Sequence, residues 1–377
     1  MHVRITNGGQ VAEGPRAMKL LVAGGGTGGH VFPALAVTKE WLRRGAALKE
    51  SREAVFVGTE RGLENKLVPE AGIPLELIRS AGLKGMGGLK LARHLAMLGP
   101  AFFDSRAILR RHKFAAAFGM GGYAAGPVLL LAALRGIPVV ILEPNAAPGF
   151  SNRLLARFAT RIATCYPQTA ESWGAKATVT GCPVREDFQY VPPRMPAPPF
   201  RILITGGSQG ARPINRTMRE ALPHLADRKH DLHIVHQTGQ REYEEIRADY
   251  LQHEFTAQVR PFLTDMPARF AWADLVISRA GQTTIAEIAA VGRAALFIPF
   301  AGAADNHQLR NAQALERNGA ARVIPESELN GARLANEIIG LLGQPDLLAG
   351  LAARAHKFAR PEATQEIVNL IEQVQRP

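Results

Sequence analysis

Two stretches of this chain read almost alike, and nothing else constrains its fold as strongly. Lys19-Leu-Leu-Val-Ala-Gly-Gly-Gly-Thr-Gly-Gly29 and Phe200-Arg-Ile-Leu-Ile-Thr-Gly-Gly-Ser-Gln-Gly-Ala211 are each a short apolar run ending in a glycine cluster. Such a run bounded by glycines is a buried strand. In the first copy a helical pattern follows through Leu35, Ala36, Val37 and Trp41, with Pro33 near its start. Strand, glycine loop and helix together hold a phosphate: glycines let backbone N–H groups approach the anion, and the positive helix end stabilises its charge.

Strands and helices alternate after each copy. The first half offers strands at Leu20–Ala23, Ala54–Val57, Pro74–Ile78, Phe114–Phe118, Ile137–Leu142, Thr160–Ala163 and Ala177–Thr180. The second offers Leu232–His236, Ala257–Arg260, Asp274–Ser278 and Ala294–Pro299 after its opening strand. That alternation predicts parallel sheets covered on both faces. Val191-Pro-Pro-Arg-Met-Pro-Ala-Pro-Pro199 has five prolines in nine residues, too many for an interior element, and reads as a linker. The expected organisation is therefore an α/β chain of two Rossmann-like domains, 18–190 and 200–377, facing one another across a cleft. Its last helix is free to return to the first domain. Residues 1–17 lack the apolar core of a signal peptide and read as a disordered extension.

Composition narrows the chemistry. A formal charge of +12 fits an acidic partner, such as a phosphorylated substrate or an anionic surface, or simple solubility. Cys165 and Cys182 have neither C-x-x-C spacing nor a histidine pattern, which excludes a zinc site or a disulfide framework. The longest apolar stretch, Pro127 to Leu142, is broken by Arg135-Gly136 and Pro138 and is too short to span a bilayer. Gly24, Gly26 and Gly29 satisfy G-x-G-x-x-G, but the second strand ends in Gly58-Thr59 without the acid that holds a nicotinamide ribose. The loop therefore says phosphate rather than NAD, and His30 adds a titratable group to it.

In the second half, Ser278-Arg-Ala-Gly-Gln-Thr-Thr-Ile-Ala-Glu287 places a turn and a helix start after a strand. That N-terminus can take a pyrophosphate, and Glu287 can accept both ribose hydroxyls; read alone, the stretch equally fits a capped helix with an acid near its start. Asp305, His307, Gln308 and Asn311 form a polar cluster suited to a sugar or to helix capping.

Together, Gly25-Gly-Thr-Gly-Gly-His30, Gly119-Met-Gly-Gly-Tyr123, Gly206-Gly-Ser-Gln-Gly-Ala211, Arg279–Glu287 and Asp305–Asn311 resemble the MurG family. These bacterial transferases add N-acetylglucosamine to lipid-linked N-acetylmuramyl-pentapeptide. The resemblance runs from Met18 to about Asn311, and more loosely to the C-terminus. It implies a GT-B glycosyltransferase that takes N-acetylglucosamine from UDP-N-acetylglucosamine, with inversion, to the 4-hydroxyl of undecaprenyl-pyrophosphoryl-N-acetylmuramyl-pentapeptide. By that likeness Thr27, Gly28 and Gly29 approach the transferred sugar and diphosphate, and Asn145 and Arg185 complete the cleft. Ser208 holds phosphate, Leu263 meets the uracil, Gln282, Thr283, Thr284, Ile285, Ala286 and Glu287 hold diphosphate and ribose, and Gln308 binds the sugar.

His30 has the pKa range of a general base, with Glu143 a second candidate; the histidine equally suits a loop-shaping role. Helix ends can meet the leaving-group charge, and the chain has no Asp-x-Asp, so neither a metal nor another cofactor is expected. The chain departs from the family at Pro144, usually Gln, and at Cys182, usually Asn. The competing readings are a UDP-N-acetylglucosamine 2-epimerase and a non-catalytic nucleotide-sugar-binding subunit.

Between Gly82 and Lys113, Lys84, Lys90, Arg93, Arg106, Arg110, Arg111 and Lys113 face a single acid, Asp104. Leu89, Leu91, Leu95, Leu98, Phe102 and Phe103 lie among them. This pattern suits peripheral contact with an anionic leaflet, here the cytoplasmic face of the inner membrane, or an amphipathic helix packed on the core. It offers no stacking platform for nucleic acid.

Overall fold

The computed structural model describes residues 17–26, 28–60, 62–79, 88–188, 190–192 and 195–376, without the side chains of 88–98, 123, 124 and 304. The leader, Thr27, most of the glycine loop at 81–88 and the side chains of Lys84, Lys90, Arg93, Leu89, Leu91, Leu95 and Leu98 lie outside that description.

The first lobe alternates β1 (Met18–Ala23), α1 (Gly28–Leu48), β2 (Arg52–Gly58), α2 (Glu64–Glu70), β3 (Leu75–Leu77), α3 (Gly88–Arg111), β4 (Ala116–Gly119), α4 (Gly122–Leu134), β5 (Val139–Glu143), α5 (Phe150–Leu155), β6 (Arg161–Thr164), α6 (Pro167–Glu171) and β7 (Ala177–Val179). The second has β8 (Phe200–Thr205), α7 (Arg212–Ala221), β9 (Leu232–Gln237), α8 (Tyr243–Gln252), β10 (Thr256–Arg260), α9 (Met266–Trp272), β11 (Leu275–Ser278), α10 (Gln282–Val291), β12 (Ala294–Phe297), α11 (His307–Glu316) and β13 (Arg322–Val323). Then come α12 (Gly331–Leu342), α13 (Pro345–His356) and α14 (Ala363–Val374).

Every described strand pairing is parallel. The sheet orders are β3-β2-β1-β4-β5-β6-β7 and β10-β9-β8-β11-β12-β13. Strands buried on both faces explain the unbroken apolar runs. In β1, Leu20 and Val22 face a core shared with α1 and α14, whereas Leu21 and Ala23 face one shared with α3, α4 and α5. Each order reverses at its opening strand, between β1 and β4 and between β8 and β11. A crevice opens at such a switch point beyond the carboxyl ends of the strands. The loops leaving β1, β4, β8 and β11 are four of the glycine-bearing motifs singled out in the sequence, so the fold gathers them at the two crevices.

The structure differs from the sequence reading at the start of α1 and at β13, while its last helix takes the return path left open to it. Helix α1 begins at Gly28, five residues before Pro33, so Pro33 lies inside it and cannot donate to the Gly29 carbonyl. The two-residue β13 was not foreseen, being too short for a periodic signal. Helix α14 crosses back to the first lobe: Ile367, Val368 and Ile371 are fully buried in its core, and Glu372 pairs with Arg44 and Arg52 at 2.7 and 2.6 Å. The chain thus passes between lobes twice, through residues 181–188, where Val184 and Phe188 already pack on the second lobe's core ahead of the expected boundary at 190, and through residues 357–362. Arg293 anchors the linker to the second lobe, donating to the Val191 carbonyl at 2.6 Å.

Candidate active site

The rim of the first lobe is built on the loop after β1. Gly26 has φ +90°, a conformation a side chain would strain. Gly28, Gly29 and His30 form the first turn of α1, where N–H groups have no helical acceptor. The His30 ring is half-buried; a methyl added to Gly122, the first residue of α4, would stand 4.0 Å from its Cε1. Burial, and then the charge of His307 across the cleft, hold its pKa below the usual imidazole value; a Gly25 backbone hydrogen bond and the charge of Glu64 pull the other way. The imidazole is therefore neutral at pH 7.

Glu143 ends β5 and is 1% exposed. Its Oε1 accepts from the Asn145 N–H at 2.9 Å and from Asn145 Nδ2 at 3.0 Å. Its Oε2 accepts from the Gly149 N–H at 3.0 Å and from Asn152 Nδ2 at 2.9 Å. Burial pushes its pKa up and these donors hold it back. Both oxygens are occupied in folding the 143–149 turn, which distinguishes this carboxylate from an open proton acceptor. Asn145 is tied as firmly: its Oδ1 accepts from Asn311 Nδ2 at 3.1 Å, and Asn311 Oδ1 accepts from the Ala146 N–H at 2.8 Å. Pro144 and Cys182 are both buried beside this turn or the 181–185 crossing.

Arg185 stands between the lobes. Its guanidinium lies 5.2 Å from the Phe32 ring centre and 4.7 Å from that of Phe188, with Nη2 3.8 Å from Glu287. Its Nε is buried without a hydrogen-bond partner. A stacked guanidinium with an open donor is suited to an anion.

On the second lobe, Gly207 and Gly210 have φ +89° and +71°, and Ser208 between them is exposed. Gln237, at the end of β9, donates to the Gly207 carbonyl at 2.9 Å and accepts from the Leu263 N–H at 2.7 Å. It thereby ties two loops of the site together, and it leaves Leu263 its carbonyl rather than its N–H for a ligand. Gly281 precedes α10 with extended backbone (φ −67°, ψ 141°), so the first-turn N–H groups of Gln282, Thr283 and Thr284 lie at the cleft end of the helix. Ile285 is buried in the core, and Ala286 and Glu287 are half-buried. Burial raises the Glu287 pKa to about 7 despite the charge of Arg185. Gln308 Oε1 accepts from the Phe300 N–H at 3.0 Å, and a half-buried Arg279–Glu326 pair at 2.5 Å pins the same loop through Ala301.

The two rims meet. Tyr166 donates to Gln282 Oε1 at 2.6 Å, and Arg153 reaches Asp305 at 3.4 Å. A cavity of about 1060 Å³ runs from Arg185, Tyr166 and Gln282 along α1 and α10. Tyr166, Gln237, Asn152 and Glu326 escaped the sequence reading, because their partners are 9 to 116 residues away and no local pattern marks them. Among the described residues, no three or more His, Cys, Asp or Glu side chains are placed to hold a metal ion.

Outside the cleft, Phe103, Leu134, Phe150, Leu154 and Phe158 are exposed on or beside α3, α4 and α5, the helices on one face of the first sheet. Arg106, Arg110, Lys113, Arg153 and Arg157 are exposed around them. The α5 part of this face was not anticipated. Asp104 is paired with Arg79 at 2.7 Å, which takes the one acid of the 82–113 stretch out of the charge balance. Among the described residues, no helix is long and apolar enough to cross a membrane.

Residues 20–164 match the glycosyltransferase family 28 N-terminal domain, and residues 201–370 match the C-terminal domain of the same family. A protein of Anaeromyxobacter sp. (strain Fw109-5), named UDP-N-acetylglucosamine–N-acetylmuramyl-(pentapeptide) pyrophosphoryl-undecaprenol N-acetylglucosamine transferase, is 44% identical over 95% of this chain and 94% of its own length. The protein of that name from Myxococcus xanthus (strain DK1622) is 43% identical, over 94% and 92%. The crystal structure of Acinetobacter baumannii MurG superposes with a TM-score of 0.77 at 34% identity, covering 95% of this chain and 100% of that one. A UDP-N-acetylglucosamine 2-epimerase from Neisseria meningitidis reaches a TM-score of 0.65 at 12% identity, over 94% of this chain and 100% of its own, a likeness of fold alone.

Proposed function

The chain belongs to the MurG transferases of glycosyltransferase family 28, and on that premise we propose how its residues divide the reaction. The enzyme transfers N-acetylglucosamine from UDP-N-acetylglucosamine to lipid-linked N-acetylmuramyl-pentapeptide. In our reading the donor lies across the second lobe. The N–H groups at the start of α10, with Ser208, hold the diphosphate, Glu287 accepts from the ribose, the Leu263 carbonyl meets the uracil, and Gln308 faces the sugar. Thr27, Gly28 and Gly29 close on the diphosphate from the first lobe.

Neutral His30 takes the proton of the acceptor 4-hydroxyl as its oxygen bonds to the anomeric carbon. The bond from that carbon to the diphosphate oxygen breaks on the opposite side, so the configuration inverts. Arg185 and the α10 N-terminus stabilise the charge that leaves on UDP. Glu143 shapes the acceptor-side turn with Asn145 rather than moving a proton. The observation that carries this reading is geometric: Arg185 stands between α1, whose first turn holds His30, and α10, whose N-terminus opens on the cleft, stacked near Phe32 of the one and 3.8 Å from Glu287 of the other.

The test uses labelled UDP-N-acetylglucosamine, a short-chain lipid acceptor and EDTA. Label passes to the lipid in the native protein, and His30→Ala slows transfer by about 10²–10⁴-fold, the usual contribution of a general base. Appearance of the manno epimer on the nucleotide instead would replace the transferase reading.

The exposed apolar face of α3–α5 with its arginines supports peripheral docking on an anionic leaflet, which we assign to the cytoplasmic face of the cell membrane, with no role for nucleic acid.

A further inference from the structure

Just beyond β2, where a nicotinamide enzyme presents an acid to its ribose, this chain carries a carboxylate turned to a different use. Glu64, the first residue of α2, is completely buried. Its Oε2 accepts from the Gly26 N–H at 2.8 Å; its Oε1 accepts from the Thr59 N–H at 2.9 Å and from Thr59 Oγ1 at 3.1 Å. Among the described residues it has no cationic partner: its satisfied donors are backbone amides and one hydroxyl. Three glycines crowd it. A Cβ on Gly25, Gly58 or Gly62 would collide with its side chain. Glycine at these positions thus makes room for a carboxylate as well as for a ligand.

We infer that Glu64 is a positioning residue for the transfer, holding the loop after β1 so that the first turn of α1, with His30, stands against the substrates. A buried carboxylate without hydrogen bonds is costly, so its geometry is stiff once the bonds are made. Gly26, at φ +90°, is the point where the loop turns toward α1, and Glu64 grips that point. The titratable groups that bear on His30 are His307 from α11 and Glu64 from α2, with opposite effects. Losing the Glu64 charge therefore weakens the pull that favours protonated His30, and the acid limb of the rate profile moves to lower pH.

The inference rests on His30 as the base, and the experiment separates the two ideas. Glu64→Gln keeps size and removes the charge, but offers an amide N–H where an oxygen met a donor. Its kcat is expected to fall by about tenfold or more, with KM for UDP-N-acetylglucosamine within about threefold of native, because most of the donor's proposed contacts are on the other lobe. Thr59→Val, which deletes one hydrogen bond, is expected to lose about threefold in kcat. It carries the test should Glu64→Gln not fold. Native kcat and an unmoved acid limb in these variants, with His30→Ala inactive, would overturn the role of Glu64 and leave the base assignment standing. A fully active His30→Ala would overturn the base assignment itself. A loss of thermal stability with kcat per folded molecule unchanged would make Glu64 structural only and end the proposal.

Discussion

With its pKa near 7, Glu287 titrates where the enzyme works. In the role proposed for it, Glu287 accepts hydrogen bonds from a ribose diol, so the ionised carboxylate is the binding form. The Kd for UDP-N-acetylglucosamine is expected to rise below pH 7, approaching about tenfold per pH unit, the limit for one proton. Calorimetry from pH 5.5 to 8 tests this, and Glu287→Gln should bind weakly with little pH dependence. For folding the sign is opposite: a raised carboxyl pKa contributes stability below its ordinary value of 4.5, and that contribution is lost as pH rises through about 7.

His236 acts on the acid side. It is fully buried between Tyr250 and Asn215, at 3.1 Å from each, and burial lowers its pKa to about 3. Its contribution is complete above 6.5 and is lost as pH falls toward 3, at a slope of up to about 1.4 kcal/mol per unit. Urea unfolding at pH 7.5, 6 and 5 should show that slope in the native protein and a flatter one in His236→Leu, which starts from lower stability. At this scale the sequence points to residues whose motif is local, such as His30 and Gln282 to Glu287, which the fold sets in the first turns of α1 and α10. It could not disclose that Glu143 is enclosed, because Asn152 lies on the next helix, nor that Glu64 faces Gly26 across 38 residues.

Among elements, alternation of strands and helices was legible because strands buried on both faces leave unbroken apolar runs. Helix α1 begins earlier than the sequence suggests because two glycines and a proline are poor helix signals, and the turn proposed to face the diphosphate contains those glycines. Helix α5 escaped notice since it has six residues. The turn that follows it supplies a separable prediction. Arg157→Ala should weaken binding to vesicles containing anionic lipid by about fivefold, near 1 kcal/mol, and leave binding to neutral vesicles unchanged. Phe158→Ser should weaken both, since it removes apolar insertion rather than charge. Co-sedimentation distinguishes them, and equal effects of the two substitutions on both vesicle types would argue against this face as the docking surface.

For the whole molecule, the repeat announced two lobes, but the contacts that join them came from tertiary structure. Tyr166→Phe removes the hydrogen bond to Gln282, a neutral pair worth about 0.5–1.5 kcal/mol, and should lower kcat/KM for the donor by up to about tenfold while the thermal midpoint falls by only about 2–4 °C. Helix α14 is energetically larger: each of Ile367, Val368 and Ile371 contributes roughly 1.5–3 kcal/mol on burial, together comparable with the ~5–15 kcal/mol stability of a domain. A fragment ending at residue 190 should therefore fail to fold cooperatively, as judged by circular dichroism and urea titration, and a peptide spanning 362–376 should rescue it.

The same helix sets a timetable for synthesis. The ribosome completes the last strand of the first sheet at Val179, yet the helix that covers one face of that sheet begins at Ala363. At about 5–20 residues per second, roughly ten to forty seconds separate the two. Through that interval Phe118 and Val140, on strands that α14 packs against, lack that part of their cover while the second lobe is made and folds. The lobe translated first is the lobe finished last, so a nascent chain stalled anywhere in the second half presents an open apolar sheet face to chaperones.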